Sequence, residues 1–310
     1  MDEYTEHTRD LLEDRFGRTD EGGVYLAHQP IYGFRAGHTE RGALRKQTIT
    51  LHMMKALSHL AFDSLVDVGG AEGYKAAVAR EIFGVRVTSC DLSGEACRRA
   101  KEIFDVDGVP VDVQDLPFAD GQFDVALCSQ TLEHVPDLER ATRELIRVSA
   151  KAAVITVPHQ SRRFLARHVR EGALHVHMHS LDLNAFDFAL PELSRILRSR
   201  IVSGLLRVPR ALVDAERGLR GRSYPRVVSG VYDALAPVAI RLSGVRSACA
   251  VLYLDGAACR MVPSYEAMLF VLLKDGDCYS ERPRTRVLPR TIVDFRVPLH
   301  YLTGGRVRAS

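Results

Sequence analysis

The sequence predicts an α/β fold in which a mostly parallel sheet is covered by helices on both faces. Two observations lead to this prediction. Short apolar runs alternate with helical patterns between residues 64 and 157, an order typical of doubly wound parallel sheets. The first run ends in a turn with glycines at positions 69, 70 and 73, and such sheets bind ligands at this kind of turn. A chain of 310 residues suits one core domain with additions.

The elements follow in a regular order along the chain. Residues 1–38 are polar and rich in glycine and aromatic residues, and apolar positions recur at helical spacing over 39–60. We therefore assign residues 1–60 to an N-terminal extension whose helix covers the site. The core domain at 61–275 should begin with strands at 64–68, 85–90, 109–113, 123–129 and 152–157, and with helices at 74–83, 94–104 and 137–148.

The pattern changes after Pro158. A histidine-rich extended stretch at 175–180 precedes a helical pattern at 183–197. Two further runs, 200–206 and 267–273, have the composition of strands.

The segment between these two runs is too long for a simple loop, so we predict an insertion at about 207–264. Its apolar centre at 227–242 has four open interpretations: core packing, a lid, the interface of a homodimer, or a shallow membrane-facing helix. The tail at 276–310 is rich in Pro and Arg, and we expect it to run over the surface or to be partly disordered.

Composition excludes several classes of protein. The net charge is +3 with scattered basic residues, which argues against a nucleic-acid partner. No apolar run approaches the length of a transmembrane segment, and the acidic start MDEYTEH is unlike a secretory signal. The six cysteines have no CxxC spacing, as expected for a reduced, cytoplasmic protein.

Two carboxylates follow the glycine turn at regular distances. Asp91 and Asp115 lie near the predicted ends of the second and third strands, at the edge where the turn also lies. Asp91 could accept the hydroxyls of a ribose, and Asp115 the exocyclic amine of an adenine walled by Leu92 and Leu116. The alternatives are a helix cap for Asp91 and a turn residue for Asp115.

Four runs in order over residues 60–160 resemble a class I S-adenosylmethionine-dependent methyltransferase: DVGGAEG, CDLSGEACRRA, DLPFADGQFDVALCSQTLEHV and RELIRVSAKAAVITVPH. The subgroup that they resemble most is the one typified by ubiquinone- and menaquinone-biosynthesis methyltransferases. The resemblance implies a Rossmann-like sheet of seven strands, closed by an antiparallel pair at 200–206 and 267–273. It also implies S-adenosylmethionine as the cofactor.

The resemblance further implies a cofactor-binding set at this edge of the sheet: Asp67, Gly69, Gly70, Ala71, Glu72, Gly73, Asp91, Leu92, Asp115, Leu116, Ser129 and Gln130. Within this set, the glycine turn would hold the methionine moiety, and Asp91 the ribose. Asp115 and Leu116 would hold the adenine. Ser129 and Gln130 would line the site beside the transferable methyl.

The turn departs from two known patterns. Ala71 stands where the resembled family usually has its second glycine, so its methyl group would narrow the pocket. A nicotinamide dehydrogenase would instead need GxGxxG, but counting from Gly69 puts Tyr74 in the last position. A bare glycine-rich βα turn without a ligand remains a third interpretation.

Three side chains are candidate general bases: Glu133, His134 and His159. A base is needed only if the acceptor must lose a proton. Glu133 and His134 belong to the run LEHV, which the resemblance also explains as the helix start after the fourth strand, so a structural role stays open for both.

Three histidines, His175, His177 and His179, alternate and so share one face of an extended segment. Imidazole is a common metal ligand, and some members of the resembled family bind a divalent metal through Glu-x-x-Glu-His plus a later histidine. Here the first of those carboxylates is replaced by Gln130. We therefore predict that the histidines line the acceptor pocket and that no metal is bound.

The sequence thus predicts a methyltransferase that moves a methyl group to an O or N atom of a small-molecule acceptor, such as a natural product, a sugar or a quinone-like compound. Two alternatives stay open: a catalytically inactive protein that binds S-adenosylmethionine and acts as a regulator or scaffold, and a methyltransferase that acts on proteins.

Overall fold

A computed structural model gives the structure of the protein. It describes residues 3–21, 23–32, 43–159, 178–201 and 267–295, together with the helical positions 238, 242, 246, 249, 250, 252 and 253.

Seven strands form one sheet in the order β3-β2-β1-β4-β5-β7-β6. The strands are β1 (Ser64–Val68), β2 (Arg86–Asp91), β3 (Asp107–Pro110), β4 (Phe123–Ser129), β5 (Ser149–Pro158), β6 (Arg195–Ile201) and β7 (Ala267–Leu273). Strands β1 to β5 pair in parallel, whereas β7 is antiparallel to both of its neighbours, β5 and β6. The predicted seven-stranded, mostly parallel sheet with an antiparallel last strand is confirmed.

The strand order reverses between β1 and β4. The chain moves outward on one side of β1 to β2 and β3, and then returns to the other side to form β4 and β5. A crevice opens at such a switch point, beyond the carboxyl ends of the strands, because the connections on its two sides run in opposite directions. The predicted cofactor-binding residues lie at or after the carboxyl ends of β1 to β4.

The helices are α1 (Glu3–Gly17), α2 (Ala43–Leu57), α3 (Tyr74–Phe83), α4 (Gly94–Phe104), α5 (Leu138–Val148) and α6 (Pro289–Asp294). Helices α3 to α5 begin within one residue of the prediction, and α2 lies within the predicted 39–60. The sequence did not predict α1. Its buried side chains are Thr5, Thr8 and Phe16, so it lacks the apolar stripe that marks an amphipathic helix.

The two faces of the sheet carry separate hydrophobic clusters, and β4 shows why. Its side chains alternate: Val125 and Leu127 lie in the cluster with α2 and α3, whereas Ala126 and Cys128 lie in the cluster with α5. A strand buried on both faces must be apolar throughout, and this explains the unbroken run that predicted it.

Two element boundaries differ from the prediction. Strand β3 ends at Pro110 rather than at 113, because its pairing with β2 ends where Asp91 faces Pro110. The predicted helix at 183–197 is wrong: a 3-10 helix, Asp187–Glu192, contains Pro191 and is followed by β6. Pairing with β7 extends β6 over residues whose spacing alone suggested a helix.

The first part of the predicted surface tail is also packed. The N–H of Ala61 donates to the carbonyl of Cys278 at 2.8 Å, and α6 packs against α2 through a segment in which Ile292 and Val293 are buried. The remainder of the tail, 296–310, lies outside the described residues, as do most of the insertion at 207–264 and most of its apolar centre. Among the helices that are described, none is long and apolar enough to span a membrane.

Candidate active site

The glycine turn joins β1 to α3 through three residues with left-handed backbone angles. Gly69, Ala71 and Gly73 have φ values of 72°, 51° and 77°. Gly73 precedes α3 and provides no side-chain cap, so the first amides of α3 are directed toward the crevice without an intrahelical acceptor. The turn therefore presents a positive helix end to whatever binds there.

Close contacts within the protein explain two of these glycines. A β-carbon at Gly69 would lie 2.1 Å from the hydroxyl of Thr131, and one at Gly73 would lie 2.7 Å from the β-carbon of Ala100. The sequence prediction attributed the missing side chains to the approach of a ligand. The structure shows that they also let two protein segments approach the turn.

Asp67 is completely buried beside this turn, and neither of its carboxylate oxygens has a hydrogen-bond partner among the described residues. Burial raises the pKa of Asp67 to about 6, against the opposing effects of the Lys75 ammonium group and of the nearby backbone N–H of Ala76. The hydroxyl of Ser89 is also buried, and no described residue forms a hydrogen bond with it. Both groups flank Gly70, because a β-carbon there would lie 2.4 Å from Ser89 Oγ and 3.0 Å from Asp67 Oδ2.

Asp91 ends β2 and is joined to the glycine turn. Its Oδ2 accepts from the N–H of Ala71 at 2.9 Å, and its Oδ1 from the N–H of Ser93 at 3.1 Å. Burial raises the pKa of the Asp91 carboxyl, although these N–H donors oppose the shift. The helix-cap alternative is wrong, since the cap of α4 is Ser93, whose Oγ accepts from the N–H of Ala96 at 3.1 Å. Leu92 is half-buried beside it.

The structure places the next carboxylates differently from the prediction. Asp115 is exposed, five residues after the end of β3. Asp112 is half-buried and directly follows Val111, whose N–H donates to the carbonyl of Asp91 at 2.8 Å. Asp112 thus lies beside Asp91 at the edge of the sheet. The sequence prediction missed it because the strand was expected to continue to 113.

Leu116 is buried, as expected of a wall residue. Its N–H donates to Glu144 Oε2 at 2.8 Å, and its carbonyl accepts from Arg147 at 2.9 Å. Two side chains of α5 therefore fix the loop in which Leu116 lies.

The end of β4 carries the predicted residues Ser129 and Gln130. The hydroxyl of Ser129 lies 2.9 Å from that of Thr156, and the N–H of Gln130 donates to the carbonyl of Thr156 at 2.8 Å. Gln130 has a φ of 56°, and its side-chain nitrogen is buried without a partner among the described residues. A non-glycine residue with this backbone angle is uncommon and clusters at functional sites.

Glu133 is buried three residues further on, and its Oε2 has no partner among the described residues. Burial raises the pKa of Glu133 to about 8, although the cations Arg45 and Lys75 oppose the shift. His134 Nε2 lies 3.8 Å from Glu133 Oε1. The sequence prediction did not include Arg45 and Lys75, since neither is in the motifs that carry the resemblance.

Of the other predicted site histidines, the structure describes only His159 and His179. His159 is exposed after β5. His179 Nε2 lies 2.7 Å from the carbonyl of Val135, so its ring contacts the loop that follows Glu133 and His134. His175 and His177 lie outside the described residues. In the part of the chain that is described, no three His, Cys, Asp or Glu side chains form a possible metal site.

Glu72 contacts the N-terminal extension. It is fully buried, and its carboxylate accepts from the N–H groups of His28 and Gln29. Burial raises the pKa of Glu72, and these donors oppose the shift. The predicted role of Glu72 in binding a cofactor therefore has a structural alternative: Glu72 ties the extension to the glycine turn.

Comparisons with known proteins agree with the fold and with the position of the motifs. Residues 66–157 match the family model of a methyltransferase domain. The chain is 36% identical over 102 residues to norajmaline N-methyltransferase of Rauvolfia serpentina, covering 30% of this chain and 35% of that protein. It is 25% identical over 168 residues to the chloroplastic tocopherol O-methyltransferase of Arabidopsis thaliana, covering 50% and 47% of the two chains.

The chain thus spans between a third and half of the length of these curated relatives. Among solved structures, geranyl diphosphate C-methyltransferase from Streptomyces coelicolor A3(2) superposes with a TM-score of 0.51 at 17% identity, covering 88% of this chain and 99% of that one. At this identity the likeness concerns the fold. Residues 66–157 of this chain thus match a methyltransferase domain, and the sheet that contains them has the class I methyltransferase fold.

Proposed function

We propose that this protein is an S-adenosylmethionine-dependent methyltransferase that acts on an O or N atom of a small-molecule acceptor. The observation that carries the proposal is the group of buried polar atoms around the glycine turn that have no hydrogen-bond partner among the described residues, above all both oxygens of Asp67. Buried polar groups are normally hydrogen-bonded, and a buried carboxylate is normally paired with a cation. An ammonium group of a ligand would supply that cation.

The described residues include a candidate partner for each moiety of S-adenosylmethionine: the methionine, the ribose and the adenine. Asp67 matches the amino group of its methionine moiety, and the amides of the turn and of α3 match its carboxylate. Asp91 retains lone pairs for the ribose hydroxyls after accepting two backbone N–H groups. For the adenine amine we propose Asp112 in place of Asp115, with Leu92 and Leu116 as the apolar walls.

When bound, the cofactor would supply an electrophilic methyl group on a positively charged sulfur, and the bond from sulfur to this methyl would break as the acceptor atom bonds to it, leaving a neutral thioether. The protein's contribution is then largely to position the acceptor. Gln130 and the end of β4 would orient it. Glu133 is the proposed proton acceptor for a hydroxyl or amine, with His134 at 3.8 Å as its neighbour and alternative base.

The choice of an O or N acceptor is supported by the names of the two curated relatives, one an N-methyltransferase and the other an O-methyltransferase. Both names refer to small molecules. In addition, the described part of the chain offers a buried carboxyl that could accept a proton from such an acceptor.

Isothermal titration calorimetry tests the cofactor assignment. We expect the protein to bind S-adenosylmethionine and S-adenosylhomocysteine, with no measurable binding of NAD or NADP. Asp67→Asn tests the role of this carboxylate. It keeps the shape of the side chain but removes its charge, and should weaken the binding of both sulfur nucleosides. Binding of a dinucleotide without binding of either sulfur nucleoside would overturn the proposal.

A further inference from the structure

Helix α1 crosses the start of α4 and places a carboxylate on its first turn. Glu13 Oε1 accepts from the N–H of Gly94 at 2.6 Å, and Glu13 Oε2 accepts from the N–H of Glu95 at 3.0 Å and from the hydroxyl of Ser93 at 3.0 Å. The first amides of a helix have no partner within the helix. Here a residue some eighty positions earlier in the chain supplies the acceptor.

The same contact continues to the proposed ribose-binding residue. Ser93 donates its hydroxyl to Glu13 and its backbone N–H to Asp91 Oδ1 at 3.1 Å. The other oxygen of Asp91 accepts from the N–H of Ala71 at 2.9 Å. Glu13, Ser93, Asp91 and the glycine turn thus form one chain of hydrogen bonds, and a shift at Glu13 would be passed to Asp91 through a single residue.

Helix α1 also packs directly on the glycine turn. Phe16 is buried in a small cluster with Ala71 and Ala96, and the half-buried Leu12 joins it. The guanidinium of Arg99 lies 6.0 Å from the ring of Phe16 and donates to the carbonyl of Arg18 at 2.9 Å. The two ends of the hydrogen-bond chain, the α4 start and the turn at Ala71, are therefore both covered by α1.

We propose that Glu13 is a positioning residue for the cofactor: by holding the start of α4, it sets the orientation of Asp91 and docks α1 over the glycine turn. This inference rests on the proposed cofactor site. Its physical basis is that Asp91 can present two lone pairs to a ribose only while its backbone donors stay fixed. Without Glu13, the Ser93 turn and α1 gain freedom that binding must remove, so affinity falls although no contact to the cofactor has been deleted.

The experiment combines titration with hydrogen exchange. In the unmodified protein, S-adenosylhomocysteine should slow amide exchange in peptides covering 3–17 and 91–97. Glu13→Ala should exchange faster in both peptides before any ligand is added, and should bind S-adenosylhomocysteine about tenfold more weakly, a change equivalent to about 1.4 kcal/mol at 25 °C. Glu13→Gln retains one acceptor oxygen, so its exchange rates and its affinity should lie between those of the unmodified protein and those of Glu13→Ala.

The matched control is Glu6→Ala, which removes the same charge from an exposed position of the same helix and should change neither readout. If Glu13→Ala is too unstable to titrate, Glu13→Gln alone carries the test. The inference would be overturned if Glu13→Ala bound S-adenosylhomocysteine within twofold of the unmodified protein; if only Glu13→Gln can be titrated, the same limit applies to it. It would also be overturned if S-adenosylhomocysteine did not slow amide exchange in α1 of the unmodified protein. Failure of the unmodified protein to bind any sulfur nucleoside would instead overturn the proposed function.

Discussion

Asp112 and Asp115 are only three residues apart, but their surroundings differ. The half-buried carboxylate of Asp112 accepts from the backbone N–H of Gln114 at 2.9 Å, which fixes its orientation at the edge of the sheet. Asp115 is exposed, and water competes there for any hydrogen bond it makes. Of the two, Asp112 is therefore the better acceptor for an adenine amine.

Substitution of each aspartate by alanine separates these assignments. Asp112→Ala should weaken S-adenosylmethionine binding by about ten- to a hundredfold, because it removes a hydrogen bond to a charged group worth about 1.5–3 kcal/mol. Asp115→Ala should change the affinity less than twofold. Thermal melting first shows whether both variants fold. Calorimetry then measures the affinity of each for S-adenosylmethionine. The reverse order of effects would restore the assignment to Asp115.

At the scale of elements, the site depends on how closely α3 and α4 approach one another. Gly73 directly precedes α3, and a β-carbon added there would lie 2.7 Å from the β-carbon of Ala100 in α4. Gly84 ends α3 with a similar left-handed angle, a φ of 68°, but a β-carbon added there meets none of the described atoms within 4 Å. The two glycines share the same backbone requirement and differ only in crowding.

Comparing alanine substitutions at these two glycines separates the free-energy cost of crowding against α4 from the cost of the left-handed backbone angle. Gly84→Ala should lower the free energy of unfolding by roughly 1–2 kcal/mol, the cost of a left-handed angle for a residue with a β-carbon. Gly73→Ala should lower it by about 1–3 kcal/mol more, because the added methyl overpacks the contact with Ala100. Ala100→Gly in the Gly73→Ala background should relieve the crowding and recover part of that extra loss, less about 1 kcal/mol for a glycine inside α4. Equal losses in the two single variants, measured by urea unfolding, would show that crowding is unimportant.

At the scale of the whole molecule, several buried carboxyls gather at one edge of the sheet, and burial raises the pKa values of Asp67, Glu72, Asp91 and Glu133. The fold therefore favours their protonated forms relative to the unfolded chain. For a group of this kind, the stabilisation is fully present below the unfolded pKa and is lost as the pH rises through the folded pKa. The edge that would bind the cofactor thus makes the fold less stable toward alkaline pH.

Glu133 should give a measurable effect, since its pKa rises from 4.5 to about 8 on folding. Between about pH 5 and 8, it should lower the free energy of unfolding by up to about 1.4 kcal/mol per pH unit. Glu133→Gln should remove this slope while leaving the contributions of other groups in place. Urea unfolding of both proteins from pH 5 to 8 measures the difference, and parallel curves would show that Glu133 is ionised throughout.

The sequence by itself determined the fold class, the succession of strands and helices along residues 64–157 and the position of the glycine turn. These features depend on periods of two and 3.6 residues and on the turn chemistry of glycine, all of which operate within a short segment. Asp91 could be named in advance from its place at the end of a predicted strand, whereas Asp67, Ser129 and Gln130 were named through the resemblance to a known family.

Only the tertiary structure decided where β3 and β6 begin and end, which aspartate follows β3 at the sheet edge, and how α1 reaches the site. Strand ends are set by pairing with a neighbour, as between Asp91 and Pro110, and no local pattern encodes that neighbour. Helix α1 has little apolar periodicity of its own. Its position depends instead on the hydrogen bonds of Glu13 to the start of α4 and on the packing of Phe16 against the glycine turn. Contacts between residues so far apart in the chain leave no periodic trace in the sequence, and here they shape the proposed cofactor site.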